Sequence, residues 1–128
     1  MVGGQVVDIE GRFQSRDEVY AMQRLKTGAL IRAAAEGAAV IAQADAQILS
    51  GVCQYGESLG LLFQITDDIL DEDQDKDDGK NLLSHMNHSA VARQRDQVAW
   101  NAREALQVLK PPPVKLISLV DHIARRVA

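Results

Sequence analysis

Asp67, Asp68 and Asp71 are the residues whose type and spacing most directly suggest chemistry. Asp67 and Asp71 stand at i and i+4 and so share one helical face, about one turn apart. Asp68 lies beside them, rotated by about 100°. Three carboxylates within one turn make a cluster of hard oxygen donors. Such donors suit Mg²⁺, or Mn²⁺ in its place, with waters and substrate phosphates completing the octahedron. Carboxylates at a helix C-terminus also meet the negative end of its dipole, which a divalent cation would offset. Gln64 offers a neutral donor one turn earlier, and Lys26 and Lys80 could hold phosphate oxygens as point charges. The bland alternative is a solvated acidic loop after a helix. It is weakened here because the aspartate pair follows an apolar run, Leu59 to Gln64.

The acidity is local. Residues 67–78 hold eight carboxylates against one cation, Lys76, giving −7, so the remaining residues carry +3 of the chain's −4. A calcium-binding loop fails in both registers: from Asp71, Lys76 stands where glycine is required, and from Asp73, Asp78 does. The overall negative charge argues against a nucleic-acid binder, which needs a basic face. Cys53 is the one cysteine of the chain, so no internal disulfide forms and a reducing cytoplasm suits it. No apolar run approaches the roughly 18 residues of a membrane span. The first ten residues lack the pattern of a signal peptide. The length of 128 residues fits one domain.

The elements that must position these groups read as helices. Aromatic residues are 4% of the chain and period-two alternation is confined to a short stretch near Val6 and Val7, so an all-α helical bundle of four or five helices is expected. Ser15 and Glu18 form a capping box before a run that places Val19, Met22, Leu25 and Ala29 on one face. Gly28 marks a break or a close contact, after which helix continues from Leu30 to Gln43. The alanines at 33–35 and at 38–39 allow tight helix approach. A third helix is expected from about Ala44 to Asp71, with Ile48, Val52, Tyr55, Leu59, Leu62, Phe63 and Ile69 at spacings of three and four. The acidic stretch then leaves the helix, with Gly79 as its stop. A fourth helix spans Ser89 to Leu109, the prolines at 111–113 halt the chain, and a last helix runs from Val114 to Val127. The all-round apolar character of Ala29 to Ala42 asks for more partners than this chain supplies. Trp100 reads as a packing anchor, Cys53 as a small core residue, and His85 and His88 as surface groups without a third ligand.

Residues 56–71, Gly-Glu-Ser-Leu-Gly-Leu-Leu-Phe-Gln-Ile-Thr-Asp-Asp-Ile-Leu-Asp, resemble the second aspartate-rich motif of the trans-isoprenyl diphosphate synthases, Gly-x-x-Phe-Gln-x-x-Asp-Asp-x-x-Asp, at every defined position. Gly3-Gly4-Gln5 with Asp8 resembles the family's Gly-Gly-Gln segment, and Lys26-Thr27-Gly28-Ala29-Leu30 its Lys-Thr motif. The resemblance implies part of the isoprenoid synthase fold, with residues 1–128 as the C-terminal part of the domain. The first aspartate-rich motif and its Arg pair, on earlier helices in the family, have no counterpart here. It implies head-to-tail prenyl transfer of the farnesyl or geranylgeranyl diphosphate synthase type, with an allylic diphosphate and isopentenyl diphosphate as substrates. By position, Asp67 and Asp68 would bind Mg²⁺, with Asp71 nearby or through water. Lys26 would contact the allylic diphosphate, Thr27 and Gln64 would line the reacting region, and Gln5 and Asp8 would be further candidates. The family's longer loop with two Gly-Lys pairs is reduced to Gly79-Lys80, where Lys80 stands nearest the later lysine; the Thr-x-Pro that usually follows is replaced by Asn81-Leu82-Leu83-Ser84. With one aspartate-rich wall absent, the chain alone is expected to be catalytically poor. It would act as a homo-oligomer, by pairing with the missing N-terminal half, or as a non-catalytic regulatory partner of a full-length synthase. The start at Met1, inside the family pattern, suggests truncation or an internal start.

Overall fold

A computed structural model describes residues 1–11, 13–71 and 81–126. The chain runs through α1 (Val2–Glu10), α2 (Arg16–Gln23), a π-helical turn (Arg24–Gly28), α3 (Ala29–Ile41), α4 (Ala46–Leu70), α5 (His88–Ala105) and α6 (Val114–Arg125). Short 3₁₀ turns occur at Leu82–Ser84 and Leu106–Val108. No strand is found among the described residues, and the alternation near Val6 and Val7 is absorbed into α1. The acidic stretch from Glu72 to Lys80, with the expected stop at Gly79, lies outside the described residues, as does Val127.

Side-chain caps open three of the helices, and Ser15 does so where its sequence pattern places it. Ser15 accepts from the Glu18 amide at 3.4 Å, but the Glu18 carboxylate returns to the Gln14 amide at 2.9 Å. The capping box thus closes one residue earlier than its motif, satisfying one helix-end donor and the amide just outside the cap. Asp45 accepts from the Ile48 amide at 2.8 Å and Asn87 from that of Ala90 at 2.9 Å, opening α4 and α5. Between α3 and α4, Gln43 takes the left-handed conformation at φ 54°, which turns the chain back.

Helix α4 is the central element. Its Leu59, Leu62 and Ile65 are buried among Val19 of α2, Val91, Val98 and Ala102 of α5, Leu106, and Val120 and Ile123 of α6. Each fully buried aliphatic side chain contributes about 1.5–3 kcal/mol. On the α3 side the contact is made by glycines more than by the alanine pairs. A Cβ on Gly60 would lie 2.6 Å from Gly28 Cα, and one on Gly56 2.9 Å from Arg32 Cα. Of the alanines, Ala39 is buried and Ala35 half-buried, while Ala33, Ala34 and Ala38 face solvent.

Three expectations need correction. Leu25 is 52% exposed, because the π-helical turn adds a residue and rotates the apolar face that Val19 and Met22 begin. Trp100 is 54% exposed and anchors no core. The fourth helix ends at Ala105, with the last turn tightened into a 3₁₀ segment. On α3, Leu30, Val40 and Ile41 are exposed, Ile41 to 86%. No helix among the described residues is long and apolar enough to cross a membrane.

Candidate active site

Lys26, Thr27, Gln64, Asp67, Asp68 and Asp71 all line one cavity of about 460 Å³, together with Asp8, Gln23 and Phe63. The π-helical turn presents Lys26 and Thr27 on one wall, and the last two turns of α4 with its C-cap Asp71 present Gln64 and the aspartates on the other. The walls are tied directly, since Gln64 Nε2 donates to Thr27 Oγ1 at 3.0 Å. Lys26 Nζ donates to Asp8 Oδ2 of α1 at 2.6 Å. That ion pair is half-buried, which weakens solvent screening.

The neighbouring aspartates are held differently. Asp68 Oδ2 accepts from Gln23 Nε2 at 2.8 Å and from the Leu82 amide at 2.9 Å, and the Asp68 carbonyl accepts from Asn81 Nδ2 at 2.7 Å. Asp68 thereby fastens α4 to α2 and to the chain entering α5. Asp67 Oδ1 instead accepts from Arg126 Nη1, just beyond α6, at 3.2 Å. The Arg126 guanidinium also lies 5.2 Å from the Phe63 ring centroid. Burial pushes the Asp67 carboxyl above the usual carboxylate range; Arg126 pulls it down in part and Asp71 pushes it up again.

Among the described residues no three carboxylate, imidazole or thiolate groups converge on one point where an ion could sit. The three aspartates do not form the ready cluster that their spacing suggests, because Asp67 and Asp68 turn to separate partners. The donor chemistry still fits Mg²⁺. That ion keeps several waters, takes one or two carboxylates and completes its shell with substrate phosphate oxygens. A roomier groove of about 630 Å³ lies elsewhere, between α4 and α5, but its charged lining groups are Glu57 and Glu104, which would repel a diphosphate.

Of the other expected residues, Gln5 is exposed on α1, about one turn before Asp8, and does not line the cavity. Lys80 lies outside the described residues. Gln23, Asn81 and Arg126 emerge from the structure alone. Gln23 and Asn81 are buried polar residues, and nothing in their local sequence distinguishes them from ordinary helix and loop residues.

The sequence profile of the Polyprenyl synthetase family matches residues 1–92, so the chain belongs to that family. It is 35% identical over 144 residues to the chloroplastic geranylfarnesyl diphosphate synthase of Leucosceptrum canum, covering 98% of this chain and 40% of that protein. It is 35% identical over 142 residues to the farnesyl diphosphate synthase of Geobacillus stearothermophilus, covering 95% and 48%. The apo crystal structure of an FPP/GFPP synthase from Zymomonas mobilis matches with a TM-score of 0.86 at 28% identity, covering 96% of this chain and 45% of that one. The chain thus spans less than half the length of these relatives.

Proposed function

We propose that this chain supplies the second aspartate-rich wall of a Mg²⁺-dependent trans-prenyltransferase site. The parent reaction joins an allylic diphosphate to isopentenyl diphosphate, giving farnesyl or geranylgeranyl diphosphate. The observation that carries this reading is the convergence of Lys26, Thr27, Gln64, Asp67 and Asp68 on one cavity, from two segments far apart in sequence. In the reaction the allylic C–O bond breaks, and its electron pair leaves with the diphosphate. The double bond of isopentenyl diphosphate attacks the allylic cation, and loss of a proton restores neutrality. Bound Mg²⁺ would supply charge neutralisation on the departing diphosphate. Asp67 and Asp68 are the residues to hold it, with Asp71 nearby or through water, and Gln23 and the Leu82 amide aim Asp68. Lys26, once released from Asp8, holds a diphosphate oxygen. Thr27 and Gln64, bonded to each other, line the reacting region. Gln5 and Lys80 remain in this reading as outer substrate contacts on their motifs alone.

Residues 1–128 act in this scheme as the C-terminal part of the domain, in the cytoplasm, with the exposed faces of α1 and α3 supporting pairing to a complementary half. A second reading, a non-catalytic partner subunit of a full-length synthase, draws on the same exposed faces. The test is prenyl transfer from geranyl and isopentenyl diphosphates by the purified chain, with and without Mg²⁺, then with the N-terminal half of a relative added. We expect no product from the chain alone, and Mg²⁺-dependent product from the complemented chain that Asp67→Ala abolishes. Product that survives Asp67→Ala would overturn the metal role. A folded complex without product would favour the partner subunit.

A further inference from the structure

Asp67 already has a cation. Arg126 Nη1 lies 3.2 Å from its Oδ1, and the same guanidinium lies over the ring of Phe63, one turn earlier on α4. The ring and the carboxylate form a two-point seat for a side chain 59 residues away in sequence. About a third of each partner is exposed, 34% for Arg126 and 31% for Asp67, so solvent ions reach the pair. The adjacent Arg125 turns elsewhere, to Asp121 at 3.9 Å. Asp68 accepts from the Leu82 amide and from the buried Gln23.

We infer that Arg126 is a resident counter-ion of Asp67 that a divalent cation must displace, so that metal binding at the aspartate wall and release of the α6 end are one event. This rests on the proposed metal role of Asp67. A guanidinium and a divalent cation on the same carboxylate repel each other, and the carboxylate cannot serve both at full strength. The coupling is reciprocal: whatever Arg126 takes from metal affinity, bound metal takes from the hold on Arg126. The pair is partly exposed, so the effect is moderate and falls with added salt.

The test is Mn²⁺ binding to the full chain, followed by electron paramagnetic resonance at low salt without diphosphate. Arg126→Gln is expected to bind Mn²⁺ about three- to tenfold more tightly than the wild type. Arg125→Gln, which removes the same charge one residue away, should stay close to the wild type. Equal or weaker binding by Arg126→Gln overturns the inference while leaving the metal role of Asp67 intact. Absence of binding to every variant overturns both. A metal-free readout accompanies it: in a double-mutant cycle of thermal melts with chelator, Asp67→Asn and Arg126→Gln should be non-additive. Saturating Mn²⁺ should remove the wild-type Arg126 contribution. Additivity in chelator would overturn the inference, whatever the metal data.

Discussion

Asp67 and Asp68 are adjacent, identical in type and unequal in what they hold. Asp68 satisfies the Nε2 of the buried Gln23 and the amide of the buried Leu82. Removing it strands both donors, so Asp68→Ala should destabilise the metal-free chain by about 1–3 kcal/mol. Asp67→Ala removes one partly exposed ion pair and should cost less than about 1 kcal/mol under the same conditions. Thermal melts in chelator check the contrast, and equal losses would show that Asp68 is not the structural member of the pair. The aspartate spacing was legible in the chain, as were Lys26, Thr27 and Gln64. The division of labour was not, because both aspartates occupy equivalent places in the motif, and their partners lie 45 and 59 residues away.

The helices themselves were legible because their signals are local, such as the cap at Ser15 and the apolar spacing along α4, whereas the caps at Asp45 and Asn87 came with the structure. The π-helical turn was not, since nothing in Arg-Leu-Lys-Thr-Gly distinguishes one extra residue per turn from ordinary helix, and it is this turn that exposes Leu25. The α3–α4 contact depends on which glycine faces which backbone. Gly60→Ala would press a methyl to within 2.6 Å of Gly28 Cα and should cost about 1–3 kcal/mol by forcing the helices apart. Gly28→Ala meets nothing closer than 3.7 Å and should change stability by less than about 1 kcal/mol. Denaturant melts of the two variants test the asymmetry. Tyr55, buried on α4, links to α6 through a long 3.4 Å bond to the Leu116 carbonyl, and burial raises its phenol above the ordinary value. The unfolded chain therefore gives up this proton first as pH rises past about 10. Tyr55 contributes stability that is complete below that pH and is lost above it. Tyr55→Phe should flatten the alkaline limb of a stability–pH profile and cost less than about 1 kcal/mol at neutral pH.

Taken whole, the molecule is well packed around α4 and open along α1 and α3. Val2 and Ile9 on α1, and Leu30, Val40 and Ile41 on α3, stand exposed, the faces on which the proposed pairing rests. The chain is therefore expected to sediment as species larger than 14.0 kDa at micromolar concentration. Leu30→Lys with Ile41→Lys should shift it toward the monomer without loss of helical circular dichroism. A monomeric wild type would leave these faces without the pairing role assigned above. The apolar excess of Ala29 to Ala42 was legible in the sequence, although Arg32 and Glu36 interrupt it and pair with each other across one turn of α3. Helix content, the Ser15 cap, the aspartate-rich motif and family resemblance followed from short-range patterns, each written within a few residues of chain. The pairing of Lys26 with Asp8, of Asp68 with Gln23 and of Asp67 with Arg126 came only from folding. Which cation or donor reaches a given carboxylate depends on how packed helices cross, and no local periodicity encodes that.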